Sequence, residues 1–171
     1  LFGSDSLTQI KTFSAENVDY NQLGQQDLVI IDEVEKLSGG LEKELEQYAK
    51  NGGQLLLIPS LQGNYNSWLN ALGLPVYGEL DTVAVRLGEL NKEISFFKPV
   101  FDKNQKPEQN QKIDLPMIYK YFPILPSKSL STSLLQTVGE KNILTMSSLE
   151  KGKVFQWAFP LQVTSSQLPQ H

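Results

Sequence analysis

Apolar residues fall into two kinds of run along this chain, and each kind predicts a different element. Residues 27–32, Asp-Leu-Val-Ile-Ile-Asp, form a continuous β-branched and aliphatic stretch closed by acids. Such a run predicts a strand covered on both faces, as in a parallel sheet. Residues 54–58 repeat the pattern, and Pro59 ends it because proline cannot donate to a ladder. Between the two the period changes. Leu37, Leu41, Leu45, Tyr48 and Ala49 share one stripe, with Glu42, Lys43, Glu46, Gln47 and Lys50 opposite. That spacing predicts a helix over residues 41–50. Glu46 and Lys50 form an acid-then-base pair one turn apart, and Asn51-Gly52-Gly53 supplies a left-handed stop. Residues 64–72 predict a second, shorter helix with Tyr65, Trp68, Leu69 and Leu72 inward. Strand, helix, strand, helix with short links predicts a βαβ unit.

The flanking regions are less periodic. Residues 8–14 suit a short strand and residues 17–23 a single helical turn. Residues 81–87 alternate as a strand does, residues 90–101 fit neither period, and residues 102–112 form a Lys/Gln/Asn/Pro run expected to be a long loop. Residues 117–125 read as a strand. Residues 133–138, 142–148 and 153–159 read as three more, joined by short polar links containing Gly that suit antiparallel hairpins. In the last of these Phe155, Trp157 and Phe159 share one face, and Val154, Gln156 and Ala158 the other. The expected fold class is α/β: one domain over residues 1–171, a mostly parallel sheet with helices on both faces, and antiparallel strands added by the C-terminal third.

Composition narrows the function. A chain of 171 residues with 40% hydrophobic residues can bury a core. Its formal net charge of −4 and its lone arginine, Arg86, argue against a nucleic-acid surface, which needs clustered Lys and Arg. No cysteine is present, so there is no thiol nucleophile, disulfide or Cys-ligated metal. No apolar run reaches the ~18 residues needed to span a bilayer. The chain opens Leu1-Phe2-Gly3-Ser4 without an initiator Met and closes on a polar stretch, 162–171, ending in its one histidine, His171. The expectation is a segment of a larger protein, with any membrane contact made by parts outside it.

Three stretches together resemble a known family. They are Asp27-Leu28-Val29-Ile30-Ile31-Asp32-Glu33-Val34, then Leu37-Ser38-Gly39-Gly40-Leu41, then Tyr48-Ala49-Lys50-Asn51-Gly52-Gly53-Gln54-Leu55-Leu56-Leu57-Ile58-Pro59. They resemble the class I glutamine amidotransferase-like domains. Within these they look like the version in membrane-anchored bacterial proteins of the BatA type, whose N-terminal region is the aerotolerance-regulator domain. Residues 143–159 look like the closing hairpin of such domains. The resemblance implies a flavodoxin-like three-layer sandwich, a membrane-anchored parent with N-terminal membrane helices, and a domain facing the periplasm. In active amidotransferases a Cys sits at a sharp, glycine-flanked turn after the strand equivalent to residues 54–58, assisted by a later His-x-Glu. Here the turn reads Pro59-Ser60-Leu61-Gln62-Gly63, with no Cys, and no His precedes His171. The implied fold carries over and the catalytic residues do not.

The candidate chemistry is therefore sparse. Ser60 could replace the nucleophile, but a Ser hydroxyl is inert without a base to take its proton; a polar turn residue or helix cap is the simpler reading. Asp32, Glu33 and Glu35 follow a strand of the kind whose carboxyl edge binds ligands, and such acids can hold a divalent ion. The simpler reading is a solvated strand end near a helix start, where negative charge is favourable. Gly39-Gly40 and Gly52-Gly53 match no phosphate-loop spacing. Trp68 and Tyr65, with Tyr119, Tyr121 and Phe122, could form an aromatic platform, although aromatics are more often core. If Tyr119, Tyr121 and Phe122 are exposed they mark a partner surface. The resulting expectation is a non-catalytic interaction or scaffolding domain with a protein partner, no cofactor and no metal. Two alternatives accompany it: a binding module for a small polar ligand (sugar or peptide) at Asp32, Glu33, Ser60 and Gln62, and a divergent hydrolase using Ser60.

Overall fold

In the computed structural model of the protein, residues 9–88, 117–127 and 130–161 are described. The stretches expected to be ambiguous, 90–101, or looped, 102–112, lie outside them. A 3-10 helix, Tyr20–Gln25, leads into β1, Leu28–Asp32. The helix α1, Gly39–Lys50, connects it to β2, Gln54–Ile58. A second helix, α2, Asn66–Ala71, precedes four two-residue strands: β3, Val76–Tyr77; β4, Val85–Arg86; β5, Met117–Ile118; and β6, Ile124–Leu125. The longer strands β7, Ser131–Gln136, β8, Asn142–Leu149, and β9, Gly152–Trp157, follow.

The main sheet runs β1-β2-β9-β8-β7. β1, β2 and β9 are mutually parallel, whereas β9, β8 and β7 are joined antiparallel. The mixed α/β architecture thus has its parallel half where the apolar runs are continuous. It has its antiparallel half where the links are too short for a crossover. The expected strand over residues 8–14 is absent from its described part, residues 9–14. That segment has only Ile10 and Phe13 to bury, and both remain exposed. The strand expected over 117–125 is two pieces. A bend at Tyr119 and Lys120 separates β5, which pairs with β4, from β6, which pairs with β3.

Packing explains why α1 forms where it does. The Ser38 side chain caps its start, accepting from the Leu41 N–H at 3.2 Å. Leu41, Leu45, Tyr48 and Ala49 are buried, and Lys50 meets Glu46 at 2.7 Å on the open side. Gly52, at φ 112°, takes the left-handed conformation that stops the helix. One core joins these residues to Ile31, Leu55, Leu57 and Val154, which share a single face of the sheet, and to Trp68 and Leu69 of α2. Gly152 and Gln156 of β9 point to that same face, the first against the end of α1 and the second bonding Pro75 just beyond α2. Among the described residues both α-helices therefore lie against one face, not on opposite faces as expected. The other face carries Leu28 and Ile30, which stay 45% and 41% exposed.

Candidate functional site

The parallel pairing of β1 with β2 sets Asp32 beside Ile58, so the two strands end together. Their continuations, Glu33–Glu35 and Pro59–Gly63, form the carboxyl rim of the sheet, the edge where open α/β folds bind ligands. The structure brings Asp32, Glu33, Ser60 and Gln62 into this one rim. The two turns touch closely: a Cβ on Gly63 would stand 2.9 Å from the Val34 carbonyl oxygen and 3.1 Å from that of Glu35. Only glycine fits there.

Two polar groups on the rim, those of Ser60 and Glu33, have structural tasks. Ser60 is 7% exposed, and its hydroxyl accepts from the Gln62 N–H at 3.2 Å, a local turn bond. Glu33 takes a positive φ of 50°, unusual for a residue with a side chain. Its N–H bonds the Ile58 carbonyl at 3.1 Å, extending the ladder by one residue, and its carboxylate accepts from the Leu161 N–H at 2.8 Å. Asp32 is exposed, as are Gln62 and Glu35. Among the described residues no three acids, histidines or cysteines are grouped so as to hold a metal ion. Asp32, Glu33 and Glu35 therefore do not converge.

The residue that sequence reasoning did not place on this rim is Tyr65. Its hydroxyl donates to the Val34 carbonyl, tying the two turns together. Burial raises its pKa to about 12, a hydrogen bond from the Ser60 backbone opposes the rise, and the charges of Glu33 and Asp32 add to it. Tyr65 packs edge-on to Tyr77 at 6.5 Å, and Tyr77 to Phe122 at 6.4 Å. A cavity of about 110 Å³ lies beside these rings, lined by Pro59, Gly63, Tyr65, Asn66, Tyr77 and Phe122. Ligand pockets typically run to roughly 300–1,000 Å³, so this one suits a few waters better than a sugar. A wider open depression of about 720 Å³ lies at the opposite end of the parallel strands, near Asp27, Tyr48 and Gln54. It touches none of the rim residues.

The aromatic group expected to form a partner surface is mostly interior. Tyr121 is fully buried, Phe122 is half-buried against the core, and Tyr119 alone is exposed. The bend after β5 breaks the alternation and turns Tyr121 inward. There its hydroxyl donates to Asp81 at 2.9 Å and accepts from Lys141 at 3.0 Å, while Lys141 also meets Asp81 at 2.9 Å. Lys141 holds the Asp81 carboxyl down at about 2, with help from the Val83 N–H and the Tyr121 hydroxyl. Trp68 and Tyr65, candidates for an aromatic platform, are core residues, as their inward helical spacing predicts.

No protein-family model matches the chain, and no curated protein matches it. Solved structures do. Two proteins from Salmonella typhimurium, cytoplasmic proteins STM3548 and STM1381, superpose with TM-scores of 0.61 and 0.60 at 17% and 19% identity. The matches cover 87% and 84% of this chain. The chain spans about two thirds of the length of these neighbours, 65% and 64%. Gan42B, a GH42 β-galactosidase from G. stearothermophilus, matches 88% of this chain with 21% of its own, at TM-score 0.57 and 12% identity. Likeness at such identities establishes a shared fold and nothing of the chemistry. No helix among the described residues is long and apolar enough to cross a membrane.

Proposed function

We propose that this chain is a non-catalytic protein-interaction domain of the glutamine amidotransferase-like class, part of a larger membrane-anchored bacterial protein. One observation carries the reading. Ser60 stands at the turn where an active member of the resembled class needs its nucleophile, and its hydroxyl is sunk into a bond with the Gln62 N–H. A nucleophile needs a base within hydrogen-bond reach, and the only bond described for this hydroxyl is the local one. Tyr65, the nearest phenol, is raised well above neutral pH and keeps its proton at physiological pH. The three-layer form of the fold belongs to the proposal. So does a periplasmic position, taken from the resemblance, although the two Salmonella neighbours are named as cytoplasmic proteins. Protease treatment of spheroplasts decides that point: cleavage of the domain in intact spheroplasts supports it, and protection counts against it. The test of the main reading is cross-linking of the full-length protein in its host followed by mass spectrometry. A specific protein cross-linked through this domain supports the reading, and its absence in every growth condition sinks it.

A second reading, binding of a small polar ligand at Asp32, Glu33, Ser60 and Gln62, is favoured by the strained backbone of Glu33, since such residues gather at functional sites. A thermal-shift screen of sugars and peptides tests it. A ligand at 100 times its Kd adds about 2.7 kcal/mol, and a flat screen removes the reading.

A further inference from the structure

Strand β1 is built like the centre of a parallel sheet and stands at its edge. Its five residues contain no proline, no glycine, no lysine and no bulge, the devices that normally blunt an exposed edge. The Glu33 N–H bonds the Ile58 carbonyl of β2. Backbone groups alternate sides along a strand, so the amides of Val29 and Ile31 face β2 as well, and those of Leu28, Ile30 and Asp32 face outward. Among the described residues no hydrogen bond reaches that outer side. The side chains of Leu28 and Ile30 rise beside it, both more than two-fifths exposed. Carboxylates flank the row: Asp27 before it and Asp32 after it, both exposed.

We propose that the outer edge of β1 is a docking edge for an extended segment of a partner protein that adds a strand there, with apolar side chains at alternate positions and Lys or Arg at its two ends. Strand addition satisfies the outward amides of Leu28, Ile30 and Asp32 and covers the two exposed apolar side chains. The charges select the occupant. A second copy of this chain pairing antiparallel about Ile30, the middle of β1, sets Asp27 opposite Glu33 of its mate, and directly opposed like charges disfavour a ladder. A segment with basic ends meets both acids favourably. The proposal rests on the interaction-domain reading and names the partner's chemistry.

The test is an amide NMR titration of this chain with a seven-residue peptide of alternating valine and threonine bearing a lysine at each end. A twin peptide bearing glutamate at each end is the control. The expected result is shifts and exchange protection concentrated on Leu28, Ile30 and Asp32, binding about fivefold weaker for the glutamate-ended twin, and loss of binding in Ile30→Lys. Ile30→Thr keeps strand propensity and stays folded, so it reports the loss of the apolar contact if the lysine variant unfolds. Four outcomes overturn the proposal: no binding, shifts elsewhere, equal binding of both peptides, or outward β1 amides already protected in the free chain by a second copy or a strand of its own. The two readings fail separately. A full-length Ile30→Lys protein that keeps its cross-linked partner defeats the edge and leaves the interaction domain standing, whereas a wild-type protein with no partner defeats the domain reading itself.

Discussion

The two ends of the parallel strands are built on different terms. At the amino end, backbone approaches backbone. An added methyl on Gly152 would overlap the carbonyl oxygens of Ala49 and Gly53, and one on Gly53 would overlap the ring of Tyr48. The Tyr48 hydroxyl then joins the strands, donating to the Gln26 carbonyl at 2.9 Å and accepting from the Gln54 N–H at 3.2 Å. At the carboxyl end two polar turns meet across Gly63 and Tyr65, with Asp32 and Gln62 left in solvent. The first end is held by steric fit that tolerates no change. The second is held by local bonds, among them the turn bond that the Ser60 hydroxyl accepts from the Gln62 N–H.

That contrast can be broken most forcefully at Gly152. Gly152→Ala forces apart the end of α1 and the start of β2 and is expected to cost about 3 kcal/mol or more. Urea denaturation measures it, and a cost under about 1 kcal/mol would show that this junction yields. Tyr48→Phe keeps the ring and removes two bonds, leaving two partly buried backbone groups without their partner. The expected loss is about 1–2 kcal/mol by the same assay. Asp81 sharpens the comparison from outside both ends. Its pKa falls from 3.8 to about 2 when folded, so its contribution is fully present above about pH 4 and is lost as the pH drops through 2. The gap in unfolding midpoint between the wild type and Asp81→Asn should therefore close between pH 5 and pH 2, and a constant gap refutes the assignment. Ser60→Ala is expected to have the smallest effect, a loss of about 1 kcal/mol or less from one turn bond.

Legibility in the sequence followed the range of the interactions involved. α1 was readable because its apolar stripe repeats every 3.6 residues, and β1 and β2 because each is an unbroken apolar run, one closed by an acid and the other by Pro59. β7, β8 and β9 were readable because short Gly-containing links leave little choice but hairpins. The strands β3 to β6 were not, since each has two residues and exists only through a distant partner, as Tyr77 with Ile124 and Val85 with Ile118. Asp81 and Lys141, 60 residues apart, carry no local signal of their pairing. On the rim, the grouping of Asp32 and Glu33 with Ser60 and Gln62 follows from two parallel strands ending together. The place of Tyr65 does not. Its spacing from Trp68 and Leu69 of α2 marks it as inward, and nothing in that spacing tells that its hydroxyl reaches back to Val34. The burial of Tyr121 was equally hidden, because it depends on a bend at Tyr119 and Lys120 that no turn residue announces.

If the carboxyl rim is structural and the domain works by holding a partner, removing the Ser60 hydroxyl changes nothing that matters to function. The direct test is quantitative cross-linking mass spectrometry of full-length wild type and Ser60→Ala in the native host. The account predicts the same partner at the same yield from both. Loss of that partner in Ser60→Ala, or a covalent adduct found on Ser60 of the wild type, would contradict it.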